Sequence, residues 1–504
     1  MRKIKEIYMN LILTAIIAIS SLFIGLVISF IFSRLMPGDP VAAWLVAQGI
    51  HNPDQFTYSQ MKHALGLDLP VFIQFFKYIG DFFSGNWGIS VSIVRNQPVY
   101  DLISSRMPFS IDLCLIPMVI GIYLGSLLGI ISFRNRRKIK GKIIQAVSAF
   151  IIAIPVFFLG MSFQYTLGYL AGLFDPTGYL SPQYTFPPSV TGFIIIDAAL
   201  AGQQYLIGDY MWHMFLPVFC LSFFMIGIIT WLTRSYLAKK SEKSTVISIT
   251  TLSGIILGFV FMSVVLIETT FGLSGIGRLL IEAFLLYDYW VLKSVLFIVV
   301  IVFVAMTLTI NLHFILYKFL LDKGVLNRFS KIKIDNPILP KEEHNKLSSN
   351  DNIKDYSINR LKSPSFIIGS ILILFFIVIS IAPQLITPYS YEYLRTPQSG
   401  SWNPPSPEHP LGQTIMGGDV LGRTIFGIRD SLISSSIMVI IGVIGGVNLG
   451  FIAGRYKRIG YKPIMGILII FYILPGFLYA LLTPVIYGPF NPMFVIIIIG
   501  ILLI

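Results

Sequence analysis

Two short stretches hold the residues whose type and spacing invite a chemical reading. The first, ETTFGLSGIGRLL, sets a carboxylate, Glu268, beside Phe271, then three closely spaced glycines, Gly272, Gly275 and Gly277, and a cation, Arg278. An acid, a base and a backbone free to turn sharply suit an element that folds back on itself at the end of a span. The second stretch, SRLMPGDP at 33–40, follows an apolar run at 11–32 and holds Arg34, Pro37, Gly38, Asp39 and Pro40. Pro37 lacks an N–H and biases Met36 away from the helical region, Gly38 permits a turn, and Asp39-Pro40 favours another. Arg34 sits where a cation suits the negative end of a helix and can snorkel.

Chemistry of other kinds has no foothold. No GxxxxGK[ST], HExxH, CxxC or GxSxG stretch occurs, and the six histidines are scattered. The chain is therefore not its own ATPase by the phosphate-loop route, and it offers no catalytic, cofactor-binding or metal-binding set. Asp112, Asp197 and Glu268 fall near the boundaries of apolar segments rather than at their centres. Ion-coupled transport, which needs ionisable groups at membrane depth, thus lacks its usual machinery.

The elements that position these stretches follow from composition. The chain is 55% hydrophobic and 12% charged, with a mean hydropathy of +0.78; an ordinary soluble domain carries about twice that charged fraction. Its apolar runs recur at the length of about 20 residues that a helix needs to cross a bilayer. The fold class is an all-α integral membrane protein of about ten transmembrane helices. Spans are expected at 11–32, 109–132, 143–166, 214–232, 246–267 and 292–317, then at 365–386, 432–454 and 464–486, with a last apolar run from 493 to 504 that is about half a span. The domains are a first half at 1–317, with six spans and a long section at 33–108, a polar linker at 318–364, and an incomplete second half at 365–504 of about three and a half spans.

The net charge of +13 is explained by topology. Lysine and arginine cluster before the first span and after the second, fourth, sixth and eighth, which places the N-terminus and those turns in the cytoplasm of a plasma-membrane protein. Nucleic acid is not implied. The sections 33–108, 167–213, 268–291 and 387–431 then face outward, and the two halves form a parallel repeat. Cys114 and Cys220 lie in apolar runs and read as small hydrophobes.

Longer stretches carry a resemblance. The section HALGLDLPVFIQFFKYIGDFFSGNWGISVSIVRNQPVYDLISSRMPFSIDL at 63–113, followed by AIPVFFLG, WHMFLPVFCLS, TWLTRS and ETTFGLSGIGRLLIEAFLLYDYWVLKSV, resembles the first permease subunit of the dipeptide, oligopeptide and nickel family of ABC importers. PPSPEHPLGQTIMGGDVLGRTIFGIRDSL at 404–432 resembles the other permease subunit, through His409, Pro410, Leu411, Gly412, Asp419, Arg423 and Arg429, with Phe426 where the family has Tyr. The resemblance implies an ABC importer type I permease fold made of two fused subunits, the second truncated. It also implies separate ABC ATPase subunits that use ATP, an extracellular solute-binding protein docked on the outer sections, and peptides as the usual cargo. Glu268, Phe271, Gly272, Gly275, Gly277 and Arg278 would form an outer gate element.

One loop departs from the family. TRSYLAKKSEKSTV after the fourth span lacks the Glu-Ala-Ala-like coupling helix, which leaves Arg234, Lys239, Lys240 and Lys243 as the ATPase-facing turn. The short last run is read either as a truncated chain or as one whose missing spans come from a companion chain, and the missing helix admits an alternative: a transport-inactive scaffold derived from a permease. A topology reporter inserted within 387–431 is expected to read as external; a cytoplasmic reading would remove both the parallel repeat and the fusion.

Overall fold

Burying apolar helices against one another while keeping every backbone polar group bonded is the problem that this chain solves. The structure, a computed structural model, describes residues 2–35, 38–238, 260–322, 364–398 and 402–455. All regular elements among them are helical, apart from two isolated bridges. The chain divides into two compact units, whose described parts are 2–322 and 364–455.

In the first unit, α1 (Arg2–Leu35) is longer than the expected span and is followed by three short helices, α2 (Pro40–Ala47), α3 (Gln55–Ala64) and α4 (Val71–Phe83). The section 33–108 is thus largely helical. Asp39-Pro40 does not make the second turn expected from sequence. Asp39 caps α2, its Oδ1 accepting from the Val41 N–H at 2.8 Å, and Pro40 takes the first helical position, where its missing N–H costs nothing.

The next helix, α5 (Val99–Arg134), begins well before the expected start of its span and tolerates Pro108 and Pro117 in its interior. It packs along α9 (Gln204–Ala238) through Gly121, Gly125 and Gly129, spaced four apart on one face. A methyl group at these positions would come within 2.5 Å of Met225 Cβ, 2.8 Å of Ile229 Cβ and 2.6 Å of Thr233 Cβ. Small residues at this spacing let helix backbones approach closely, the main source of helix association where lipid removes the hydrophobic drive. Gly25 of α1 makes a similar close approach to Val300 of α12 (Tyr289–Asp322).

The expected straight span at 143–166 is broken. Helices α6 (Ile139–Ala153) and α7 (Val156–Phe163, continuing as a wider π-helical turn over Gln164–Leu170) meet at an 85° bend. Ile154 is extended, with φ −81° and ψ 120°, because Pro155 excludes the helical region for the residue before it. After α8 (Ile194–Leu200) and α9 come α10 (Val260–Thr270), α11 (Ile276–Leu285) and α12. Two hydrophobic clusters result: one gathers α1, α4, the start of α5, α11 and α12, the other the middle of α5, α7, α9 and α10.

The second unit holds α13 (Pro364–Ile381), the short α14 (Tyr391–Arg395) and α15 (Val420–Arg455). Among the described residues α5, α9 and α15 are long and apolar enough to cross a membrane, and the bent pair α6–α7 would make a fourth span. The expected spans at 464–486 and 493–504, and the first part of that at 246–267, lie outside the described residues.

Replacing Gly125 with Leu should force α5 off α9 and destabilise the unit by about 1–3 kcal/mol or more, as overpacked interiors do. The exposed Leu124→Val change should be neutral. Thermal unfolding of the detergent-solubilised chain compares them, and equal midpoints would show that the glycine ridge carries no packing.

Candidate functional site

The glycine-rich stretch folds as a tight reversal around one carboxylate. Helix α10 ends at Thr270, Gly272 two residues on takes φ +66°, and the Leu273 N–H returns to the Glu268 carbonyl at 2.8 Å. This is the left-handed helix stop for which glycine is preferred. Glu268 is fully buried. Its Oε1 accepts from Ser110 Oγ of α5 at 2.6 Å, and its Oε2 accepts from the Arg278 N–H of α11 at 2.9 Å. Ser110 Oγ in turn accepts from the Ile276 N–H at 2.7 Å. One carboxylate therefore joins three helices.

The other two glycines make room for that carboxylate. A Cβ at Gly275 would collide with the Glu268 carboxylate, and one at Gly277 would lie 2.6 Å from Val265 Cγ2 and 2.9 Å from Glu268 Oε2. Phe271 is buried, and its carbonyl accepts from the Gly178 N–H at 3.3 Å. Arg278 does not pair with Glu268 through its side chain. Its Nε donates to Glu282 Oε1 at 2.8 Å, while Arg106 Nη1 of α5 donates to Glu282 Oε2 at 2.7 Å. Beside this cluster Tyr179 stacks on Phe109, with ring centroids 4.1 Å apart. Burial, with the Glu268 carboxylate nearby, pushes the Tyr179 hydroxyl well above its ordinary pKa.

Sequence reading missed the neighbouring anchor. Asp288 is fully buried at the start of α12. Its Oδ2 accepts from Ser90 Oγ at 2.6 Å and from the N–H groups of Val91, Ser92 and Ile93 at 2.9, 3.0 and 3.3 Å. An acid three donors deep in backbone is a loop-holding device, and an Asp directly before an apolar helix was the available signal. Arg106 and Glu282 were also missed, though the latter lies four residues after Arg278.

The remaining residues fall in separate places. In SRLMPGDP, Arg34 lies over the Phe30 ring at 5.3 Å, Gly38 takes φ +107° against the Tyr289 hydroxyl, and Asp39 Oδ2 accepts from the Tyr58 hydroxyl at 2.9 Å. Pro37 lies outside the described residues. In the second unit His409 Nδ1 donates to Asp419 Oδ1 at 3.0 Å, and Asp419 Oδ2 accepts from the Gly422 N–H at 2.6 Å. Gly412 takes φ +77°, while Pro410 and Leu411 are exposed. Arg423 clamps the Leu394 carbonyl through Nε and Nη2 at 3.1 and 3.0 Å, and Arg429 is half-buried. Arg234 turns inward, Nη1 donating to Ser132 Oγ at 2.6 Å and to the Gly141 carbonyl at 2.8 Å. Lys239, Lys240 and Lys243 lie outside the described residues.

The boundary carboxylates are engaged as well. Asp112 Oδ2 accepts from the Tyr210 hydroxyl at 2.8 Å. Burial opposes ionisation of Asp197, but donors from Thr191 and Gly192 outweigh it and hold that carboxyl below the usual range.

No family model matches the chain. Curated relatives do. The di/tripeptide transport system permease protein DppB of Pseudomonas aeruginosa is 27% identical over 290 residues, covering 53% of this chain and 84% of the relative. The chain resembles peptide-transport permeases. The dipeptide transport permease DppB of Lactococcus lactis is 28% identical, covering 57% and 91% of the two chains. The glutathione transport permease GsiC of Escherichia coli is 28% identical, covering 58% and 92%. These relatives are permease subunits of transport systems, not enzymes, and the apolar helices make this chain, like a permease, a multi-pass membrane protein.

Asp288→Ala should cost the permease-like unit about 3 kcal/mol or more, since it strands a set of charge-assisted donors. Amide exchange at 91–93 should quicken with it; unchanged exchange would mean that this loop holds itself. Gly275→Ala should similarly disrupt the reversal, read as new protease sensitivity between α10 and α11.

Proposed function

We propose that the chain is the membrane-spanning permease of a binding-protein-dependent ABC importer, with peptides as cargo. The observation that carries this reading is the match to di/tripeptide, dipeptide and glutathione permeases over 84% to 92% of their own lengths. The aligned 290 to 296 positions correspond in size to the first half, 1–317. The built reversal around Glu268 supports it, since such an element closes or opens a passage by moving as a unit rather than by making or breaking bonds.

In this reading the first half supplies one permease subunit and the second half contributes part of the other. A solute-binding protein docks on the external sections, and separate ATPase subunits bind the basic cytoplasmic turns, with the N-terminus on the same side. ATP is used by those partners. Transport is alternating access, driven by the difference in affinity that the partners have for two conformations.

The inward set of Arg234 bears on the ATPase contact. Its guanidinium ties the ends of α5, α6 and α9 together, so it shapes the turn rather than reaching out from it. Contact with an ATPase then falls to Lys239, Lys240 and Lys243.

The scaffold alternative makes opposite predictions. Affinity purification of the full chain from its source membrane should recover an ATPase whose turnover rises several-fold with peptide-loaded binding protein, an increase consistent with ordinary allosteric coupling. Recovery of the chain with no ATPase would favour the scaffold. Changing Lys239, Lys240 and Lys243 together to Glu should reduce ATPase recovery, whereas unchanged recovery and uptake would place the contact elsewhere.

A further inference from the structure

A cleft of about 70 Å³ opens beside the last turn of α1, between α4 and the first turns of α12. Three cations line it, Arg34, Lys77 and Lys293, against one carboxylate, Asp81. None of the three is ion-paired with a described carboxylate. Lys293 Nζ stands 5.4 Å over the Tyr78 ring and 5.8 Å over the Trp290 ring, and Lys77 Nζ donates to the Ala64 carbonyl at 3.3 Å.

A second observation concerns Gln74, whose residue surface is 8% exposed. Its Nε2 donates to the Leu67 and Leu69 carbonyls, which fixes the amide orientation, and its buried Oε1 has no partner. Gln74 also lines the cleft. An unpartnered buried acceptor is costly. The cleft therefore offers positive charge for an anion and an acceptor waiting for a donor.

The surroundings say where such a ligand comes from. The cleft lies at the shared end of two apolar helices, the depth at which basic side chains meet lipid headgroups. Beside it α4 turns Phe72, Phe76 and Phe83 to the surface, 71%, 53% and 73% exposed, while burying Gln74, Tyr78 and Phe82. An aromatic outer face with Lys77 at its edge is the pattern that suits a membrane interface.

We infer that this cleft binds the headgroup of an anionic phospholipid, a phosphodiester with a hydroxyl-bearing substituent such as glycerol. The phosphate meets Arg34, Lys77 and Lys293, a headgroup hydroxyl donates to Gln74 Oε1, and the acyl chains run past the exposed phenylalanines of α4.

The test uses the full chain, delipidated in neutral detergent, with thermal unfolding as the readout. Micelles doped with phosphatidylglycerol should raise the midpoint saturably; phosphatidylcholine, and sodium phosphate at matched concentration, should not. Lys77→Gln and Arg34→Gln should each weaken half-saturation by about fivefold, the loss expected per cation near a lipid surface. Lys77 is exposed, so that variant should keep the fold. Gln74→Leu should abolish the preference for phosphatidylglycerol over phosphatidic acid, which lacks the glycerol hydroxyls. An equal rise with sodium phosphate would make this a free-anion site and overturn the lipid source. Equal protection by phosphatidylcholine would overturn the charge requirement, and cation variants that titrate like the parent would overturn the cleft.

Discussion

A carboxylate withdrawn from solvent must have its oxygens met by donors, and that requirement organises the first unit. Glu268 and Asp288 are both fully buried. Each is met by backbone N–H groups and a serine hydroxyl rather than by a lone counter-ion. A buried ion pair gives back in attraction much of what desolvation removes, whereas fixed amide donors also hold the backbone that carries them. The glycines around Glu268 follow from this. They are small because the carboxylate needs the space, and Gly272 is left-handed because the helix must stop there.

The stretch from α10 to the start of α12 is consequently a single connected piece. Glu268 links it to α5 through Ser110, Glu282 links it to α5 again through Arg106, and Asp288 links it to the loop at 90–93. The section 33–108 and the glycine-rich reversal, far apart in sequence, are held to each other by these acids.

Much of this was legible beforehand, and the reasons differ by element. Apolar length marked the helices, and Gly272, Gly275 and Gly277 marked a reversal, because both signals are local. Asp39-Pro40 was misread as a turn, since the same dipeptide serves equally as a cap and a first helical residue. The break at Pro155 was hidden inside an apolar run whose length suggested an uninterrupted span. Arg106, Glu282 and Asp288 went unnoticed because their partners lie up to 198 residues away. The ridge of Gly121, Gly125 and Gly129 was open to notice through its spacing alone, and Arg234 looked outward-facing only because its count fitted a basic turn.

That ridge has a mechanical consequence. Glycines seated against Met225, Ile229 and Thr233 bring the backbones of α5 and α9 together, so sliding or rotating one past the other would drive these side chains into backbone. The ridge lies between the basic end of the pair, where Arg234 ties in α6, and the end where Ser110 and Arg106 grip the reversal, so a shift of the two helices as a unit would act on both ends at once.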